Sequence, residues 1–96
     1  MRIKILLSAV DDLQSGADFY ENQGEGLGTY FLDSLFSDID SLLLYAGIHP
    51  IVFGQRRLLS KRFPYAIYYT LEDDLAIVRR VLDLRRDPRR TRESLG

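Results

Sequence analysis

Arginine and tyrosine side chains cluster in the second half of the sequence, and these residue types are suited to binding phosphates and bases. The basic residues are Arg56, Arg57, Lys61, Arg62, Arg79, Arg80, Arg85 and Arg86, with Tyr65, Tyr68 and Tyr69 among them. Arginine binds phosphate through paired hydrogen bonds, and tyrosine rings stack on unpaired bases. The cluster therefore predicts a surface that binds RNA, or a site that stabilises a phosphate during cleavage without a metal. The alternative is a set of edge-strand charges and half-buried core tyrosines.

The arrangement of the arginines in pairs predicts how they are distributed over a sheet. Neighbouring residues of a strand point to opposite faces, so each Arg-Arg pair should send one side chain to each face. One face is expected to pack on helices, which leaves about half of the arginines to converge on the open face. Which of Arg79 and Arg80 faces the open side depends on the strand register, and the sequence leaves that register undetermined.

His49, the one histidine of the chain, is a further candidate for proton transfer. It precedes Pro50 in a predicted loop and could act as a general acid or base at neutral pH. A lone histidine in a loop is more often a cap or a surface residue. A single histidine and the absence of cysteine exclude a multi-histidine metal site, a thiol nucleophile and a cysteine zinc site. No metal and no cofactor are expected.

Length and composition predict one soluble domain. The 96 residues are 46% hydrophobic and 28% charged, and no apolar stretch approaches the ~20 residues needed to cross a bilayer. We therefore expect a cytoplasmic protein without a membrane segment. The net charge of −1 conceals two unlike halves, because residues 1–54 carry two bases and eight acids whereas residues 55–92 carry eleven bases and five acids. The basic half could meet a polyanion or an acidic partner segment, or the two halves could neutralise each other.

The first half of the chain predicts a strand followed by a helical hairpin. Residues 2–7 alternate as a strand, and Ser8 with Asp11 forms an approximate capping box that should begin a helix. Its apolar face is predicted to be Val10, Leu13, Ala17 and Tyr20, with Asp11, Asp12, Asp18 and Glu21 facing away. Gly24 and Gly26 end this pattern.

A second helix is predicted from about Leu27 to Ala46. Its apolar stripe is Leu27, Phe31, Leu35, Ile39, Leu42 and Leu43. Gly47 is suited to cap its C-terminus, and Pro50 prevents continuation.

Short strands follow Pro50. The predicted segments are residues 51–53, 55–62, 65–71 and 75–84, and a polar turn at residues 72–74 joins the last two. Tyr65, Ile67, Tyr69 and Leu71 should share one face. The fold class is therefore α+β: an N-terminal strand, a helical hairpin, and a three- to four-strand, mainly antiparallel sheet.

Several segments in this order resemble one known family. They are Phe19-Tyr20-Glu21, Gly26-Leu27-Gly28 with Phe31 and Leu35, His49-Pro50, Arg57-Leu58-Leu59, Arg62-Phe63-Pro64-Tyr65 with Ile67 and Tyr69, and Leu84-Arg85-Arg86-Asp87-Pro88. Their order and spacing are similar to those of the RelE/ParE toxin superfamily over about residues 2–88. The resemblance implies one toxin domain, residues 1–88 with the β-α-α-β-β-β layout, and a short polar tail, residues 89–96.

The resemblance also implies a function, namely the toxin of a type II toxin–antitoxin module, often called a plasmid stabilisation protein. Such toxins inhibit growth and are neutralised by an antitoxin whose C-terminal segment wraps over the toxin surface. The RelE-like branch cleaves mRNA on the translating ribosome, whereas the ParE-like branch inhibits DNA gyrase. A homodimer formed through exposed apolar helix surface is a further expectation.

The superfamily's functional residues carry over only in part. Arg62 matches the strand arginine that stabilises phosphate in the nuclease branch, and Arg85 or Arg86 matches the arginine at the end of the last strand. No tyrosine or histidine follows Tyr69, and arginine is a poor proton shuttle. The resemblance therefore favours the ParE-like branch.

The two branches predict different roles for overlapping sets of residues. If the chain is a nuclease, the catalytic residues are Arg62, Arg85 and Tyr65. If it binds a macromolecular target or the antitoxin, the binding residues are Arg56, Arg57, Lys61, Arg62, Arg80, Arg85 and Arg86. A third interpretation is a non-toxic relative that only binds its antitoxin.

Overall fold

The structure, a computed structural model, describes all residues from Met1 to Gly96 as a five-stranded sheet with helices on both faces. The elements are β1 (Arg2–Ile5), α1 (Leu7–Glu21), α2 (Leu27–Asp40), α3 (Leu42–Tyr45), β2 (Ile51–Val52), β3 (Gln55–Leu59), β4 (Tyr65–Glu72), β5 (Leu75–Asp83) and α4 (Pro88–Leu95). The strand order is β1-β5-β4-β3-β2, with β1 parallel to β5 and every other pair antiparallel. The predicted α+β class is confirmed.

The turn between α1 and α2 depends on glycines and one carboxylate. Gly26 has a φ of +85°, a backbone conformation that favours glycine. The Glu21 carboxylate accepts hydrogen bonds from the Gly26 and Gly28 N–H groups, at 3.1 and 3.0 Å, and so satisfies two donors at the start of α2. A Cβ at position 28 would lie 2.7 Å from the Ala17 carbonyl oxygen. Gly28 therefore permits the close approach of the two helices.

The start of α1 differs from the prediction. The helix begins at Leu7 without a side-chain cap, and the Ser8 hydroxyl donates to the Arg79 carbonyl at 2.7 Å. The predicted capping box is therefore wrong. The Leu6 N–H bonds to the Val78 carbonyl of β5, and this pairing fixes the direction in which the chain enters the helix. As a result Val10 is exposed, and Ala9 takes its place in the core.

The predicted second helix is interrupted at Ser41, whose hydroxyl donates to the Asp38 carbonyl at 2.6 Å. The chain then forms the single turn α3, and Gly47, with a φ of +100°, follows it. Of the predicted apolar stripe, Leu27 and Leu43 are exposed, whereas Leu42, beside Leu43 in α3, is fully buried.

Most of the core lies between the sheet and the hairpin of α1 and α2. Thirteen buried residues form it, and Tyr65, Ile67 and Tyr69 contribute the β4 side, as their predicted shared face requires. Phe31 is fully buried at its centre and packs edge-on against Tyr65, with ring centroids 4.9 Å apart. We call this side of the sheet the hairpin face.

The opposite side of the sheet, which we call the C-terminal face, is covered in part by α4. Residues 89–96 were expected to be a polar tail, but Pro88–Leu95 is helical. Asp87 caps the helix by accepting the Arg89 N–H at 2.9 Å, and Pro88 occupies the first turn. Leu95 packs on a small cluster of Ala66, Tyr68 and Leu82. No helix of the chain is long and apolar enough to cross a membrane.

Candidate functional site

Four of the predicted basic residues lie at one end of the sheet. The Leu84 N–H donates to the Pro64 carbonyl at 2.8 Å, so the residue before β4 pairs with the residue after β5. This antiparallel register places the loop before β4 at the same end as the segment after β5. We call the four cations that these two segments carry the basic end: Lys61, Arg62, Arg85 and Arg86.

An open pocket of about 220 Å³ lies beside the basic end. Asp12, Ser15 and Phe19 of α1 line one side, and Tyr65 and Arg86 line the other. Pockets for drug-sized molecules occupy roughly 300–1,000 Å³. The smaller volume and the open shape suit contact with one group of a larger ligand.

Tyr65 is the tyrosine that lines this pocket. The residue is 7% exposed, and burial, together with the nearby Asp83 carboxylate, raises the pKa of Tyr65 to about 12. Both effects disfavour the charged phenolate. Tyr65 is therefore protonated at neutral pH and can donate a hydrogen bond or a proton, but it is poorly suited to accept one.

Asp83 and Arg85 form a closed pair at the rim of the pocket. Arg85 donates to Asp83 from Nε at 2.9 Å and from Nη2 at 2.7 Å. These hydrogen bonds lower the pKa of Asp83 and raise that of Arg85. The guanidinium carbon also lies 5.9 Å from the centre of the Phe19 ring. Arg85 is thus held in place as a cation, and Asp83 is a weak base.

Arg86 has an unused hydrogen-bond donor. Its Nη2 donates to the Ser94 hydroxyl at 3.0 Å, whereas its Nε is buried and has no partner. Buried donors are nearly always paired in folded proteins. Arg86 also lines the pocket, so its guanidinium places a positive charge beside a ligand that enters there.

Arg80, by contrast, is engaged within the fold. It donates to Asp12 from Nε at 2.7 Å and from Nη2 at 2.9 Å, and its Nη1 donates to the Ser94 carbonyl at 3.3 Å. The hydrogen bonds that Arg80 donates to the Asp12 carboxylate raise the pKa of Arg80. Asp12 also accepts the Val81 N–H at 2.9 Å, beyond the point where β1 stops pairing with β5. Asp12 was expected to face away from the core, but it closes this edge of β5.

The two arginine pairs are distributed differently over the sheet. Arg56 lies opposite Tyr69 on the hairpin face, and Arg57 lies opposite Tyr68 on the C-terminal face, as predicted. The register of β4 and β5 shifts between Tyr68 and Tyr69, and Arg79 is the extra residue of this bulge. Arg79 donates to Thr70 at 2.8 Å, on the face that Arg80 also occupies. For this second pair the predicted alternation is wrong.

The remaining predicted basic residues differ in their hydrogen-bond partners and in their exposure. Arg56 donates from Nη1 to the His49 carbonyl at 2.8 Å, and Arg57 has a buried Nε without a partner. Lys61 and Arg62 are exposed in the loop after β3.

His49 lies away from the pocket, against the hydroxyl of Tyr69. Tyr69 Oη also accepts the Gly47 N–H at 2.9 Å, so the pair fastens the loop before β2 onto β4. Burial, and secondarily the charge of Arg56, lowers the pKa of His49. The histidine is therefore neutral at pH 7 and acts as a structural partner of Tyr69. No group of three or more histidine, aspartate or glutamate side chains is placed to hold a metal ion.

Comparison with known proteins assigns the fold. No family model matches the chain, and no curated protein matches it. A chain of the solved chromosomal ParDE TA system from P. aeruginosa superposes with a TM-score of 0.79 at 20% sequence identity, over 88% of this chain and 96% of that chain. This chain has the RelE/ParE-like fold. The match confirms the fold that the sequence resemblance implied.

The contribution of α4 to the site is the main feature that sequence reasoning missed. Ser94 bonds to both Arg80 and Arg86, and Leu95 covers Tyr68. The signal for this helix was present in Asp87-Pro88, a capping residue followed by a proline suited to the first helical turn.

Proposed function

We propose that this chain is the toxin of a type II toxin–antitoxin module, and that it acts by binding a macromolecular target. The observation that carries the proposal is the basic end, where the exposed cations Arg62 and Arg85 lie at the same end of the sheet as Arg86. The likeness of the fold to a chain of a ParDE system supports it. DNA gyrase is the candidate target, since it is the one that resemblance to the ParE-like branch implies.

The chemistry of the pocket favours binding over catalysis. RNA cleavage through the 2′-hydroxyl needs a base that accepts its proton and an acid that protonates the leaving oxygen. Tyr65 is a protonated phenol, and Asp83 is held as a carboxylate by Arg85. These residues supply an acid and a phosphate-binding cation more readily than a base.

An antitoxin is the second proposed partner. A tail with acidic residues and apolar anchors would lie across the basic end and cover it. Such a complex would block access to the pocket and would silence the toxin in the cytoplasm until the antitoxin is lost. We also retain the homodimer as a prediction.

Inhibition of DNA supercoiling by purified gyrase tests the first proposal. We expect the wild-type chain to inhibit, and the Arg85→Ala/Arg86→Ala variant to need at least tenfold more protein for the same inhibition. The Arg2→Ala/Lys4→Ala variant removes the same charge from β1 and should inhibit like the wild type. Circular dichroism establishes that each variant is folded. Equal inhibition by both variants would contradict the placement of the binding surface.

A second candidate function is a ribosome-dependent endoribonuclease, favoured by the position of the Tyr65 hydroxyl and the free Arg86 donor in one pocket. It predicts discrete breaks in mRNA when the chain is added to a bacterial translation extract. Arg62→Ala should abolish them, and Tyr65→Phe, which retains the packed ring, should slow them. Intact mRNA in the presence of the wild-type chain would exclude this function.

A non-toxic relative is the third interpretation. It predicts normal bacterial growth when the chain is induced without antitoxin, together with a tight complex when the two are produced together. Growth arrest on induction would exclude it.

A further inference from the structure

One buried carboxylate of the chain lies outside the pocket and outside every ion pair. Asp38 is in the last turn of α2 and is 5% exposed. None of the four ion pairs of the chain includes it. Its Oδ2 accepts a hydrogen bond from the Ser60 hydroxyl at 2.6 Å, and Ser60 is the first residue after β3. Asp38 therefore joins the C-terminal end of α2 to the loop that follows β3.

Both the burial and the position of Asp38 are unfavourable on local grounds. A buried carboxylate without a cation costs free energy, because its charge loses hydration. The C-terminal end of a helix carries partial negative charge, so an acidic side chain in the last turn is also disfavoured. α2 has no basic residue in that turn to compensate. A residue that breaks two local rules is expected where a function requires it, which directs attention to what its contact with Ser60 holds in place.

The loop between β3 and β4 is anchored at both ends. At its start the Ser60 hydroxyl bonds to Asp38 of α2. Near its end the Phe63 ring packs edge-on against the fully buried ring of Phe31, with ring centroids 5.0 Å apart. Two residues, Lys61 and Arg62, lie between these anchors, and both are exposed cations of the basic end. Because the span is so short, the two anchors together restrict where these cations can lie.

We propose that Asp38 and Ser60 are positioning residues of the basic end, and that their hydrogen bond orders Lys61 and Arg62 in the free protein. A loop without this anchor would lose conformational entropy when a target binds, and the complex would be weaker. With the anchor, that entropy is lost when the chain folds. The consequence for target binding rests on the proposed function, whereas the ordering of the loop does not.

Backbone NMR relaxation of the purified full chain tests the ordering. We expect the Lys61 and Arg62 amides of the wild type to have order parameters of about 0.85, which is typical of rigid backbone, and to fall below about 0.6 in Ser60→Ala. Ser60→Thr keeps the hydroxyl and should restore the wild-type values. Ser37→Ala is the matched control, since it removes an exposed hydroxyl beside Asp38 and should leave the loop unchanged.

Inhibition of DNA supercoiling by gyrase tests the consequence for binding, with circular dichroism to establish that each variant is folded. Ser60→Ala should need roughly fivefold more protein than the wild type, and Ser60→Thr should inhibit like the wild type. In a Lys61→Ala/Arg62→Ala background, adding Ser60→Ala should change inhibition by less than about twofold, because the cations that it positions are absent. A merely structural role would lower inhibition by the same factor in both backgrounds.

Two results of the relaxation measurement would overturn the proposal whatever the target is. One is a wild-type loop with low order parameters, and the other is a loop that stays equally ordered in Ser60→Ala. A disordered loop in a Ser60→Ala variant that inhibits as well as the wild type would overturn the link between loop order and binding. A wild type that does not inhibit gyrase contradicts the proposed target and leaves the relaxation result valid, so the two failures are distinguishable.

Discussion

The two faces of the sheet are covered in different ways. On the hairpin face, α1 and α2 bury a core of thirteen residues, with aromatic rings such as Phe31 at its centre. On the C-terminal face, the eight-residue α4 packs over a cluster of three buried residues, to which Leu95 adds a partly buried side chain. Apolar burial is the main source of folding stability. The hairpin face therefore supplies most of the apolar burial that stabilises the fold, and the C-terminal face supplies less.

The polar contacts of the C-terminal face also leave part of its hydrogen-bonding capacity unused. Arg80, Arg86 and Gln55 attach α4 to the sheet through hydrogen bonds to Ser94 and Leu95. The buried side-chain atoms that have no hydrogen-bond partner are Oε1 of Gln55 and Nε of Arg57 and Arg86. Two of these three residues therefore belong to the attachment of α4. Unpaired buried polar atoms offset part of the stability that the hydrogen bonds supply.

Among the expected effects of substitutions on stability, the largest is on the hairpin face. Phe31→Ala removes a fully buried ring and should lower the free energy of unfolding by about 3–5 kcal/mol. Phe36→Ala on the same helix removes a ring that is 42% exposed and should cost much less. Urea denaturation measures both. Similar losses for the two variants would contradict the assignment of the core.

The next effect concerns Asp12, which joins α1 to the exposed edge of β5. Asp12→Ala leaves the Arg80 guanidinium and the Val81 N–H without this partner, so we expect a loss of roughly 1–3 kcal/mol. The neighbouring Asp11→Ala removes an exposed carboxylate and should change stability by less than ~0.5 kcal/mol. The same denaturation measurement applies. An Asp12 variant as stable as the Asp11 variant would show that the ion pair contributes nothing.

A smaller effect is expected on the C-terminal face. Leu95→Ala removes part of the contact between α4 and the cluster around Tyr68, and should cost about 1 kcal/mol or less. Near-ultraviolet circular dichroism, which reports the environment of Tyr68, should change more than the unfolding midpoint does. A loss as large as that of Phe31→Ala would remove the contrast between the two faces.

The smallest expected effect is a pH dependence of the free energy of unfolding, which we assign to His49. The pKa of His49 is lowered in the folded chain, so the unfolded chain binds the proton more readily. The free energy of unfolding should therefore be constant above the ordinary pKa of about 6.5 and fall as the pH drops below it. His49 is the one histidine, so His49→Gln should remove this slope between pH 7 and 5. An unchanged slope would assign the effect to carboxylates.

The helical hairpin was largely predictable because its signals are local. Phe31, Leu35 and Ile39 recur at helical spacing, and all three are buried. Gly26 has the left-handed conformation directly before the second helix, in the turn where the helical pattern was predicted to break. Local spacing also failed in places. Ser8 fits a capping box, but its hydroxyl bonds to Arg79, which is distant in sequence.

The candidate site was predictable in residue type and only partly in arrangement. The sequence located Arg62, Arg85 and Arg86 at chain positions that the antiparallel register brings to one end of the sheet. The sequence did not predict the bulge at Arg79, because the pattern of residue types does not reveal a one-residue shift in strand pairing.

The sequence by itself determined the order of the elements, the glycine-dependent hairpin and the basic character of the last strands, since each depends on residue type and short-range spacing. Only the tertiary structure decided which arginines are available. Arg80 is neutralised by Asp12, 68 positions earlier in the chain, whereas Arg86 retains a free donor beside a pocket. Hydrogen-bond partners so far apart in sequence come together only in the folded sheet, so the short-range spacing of residues does not predict them.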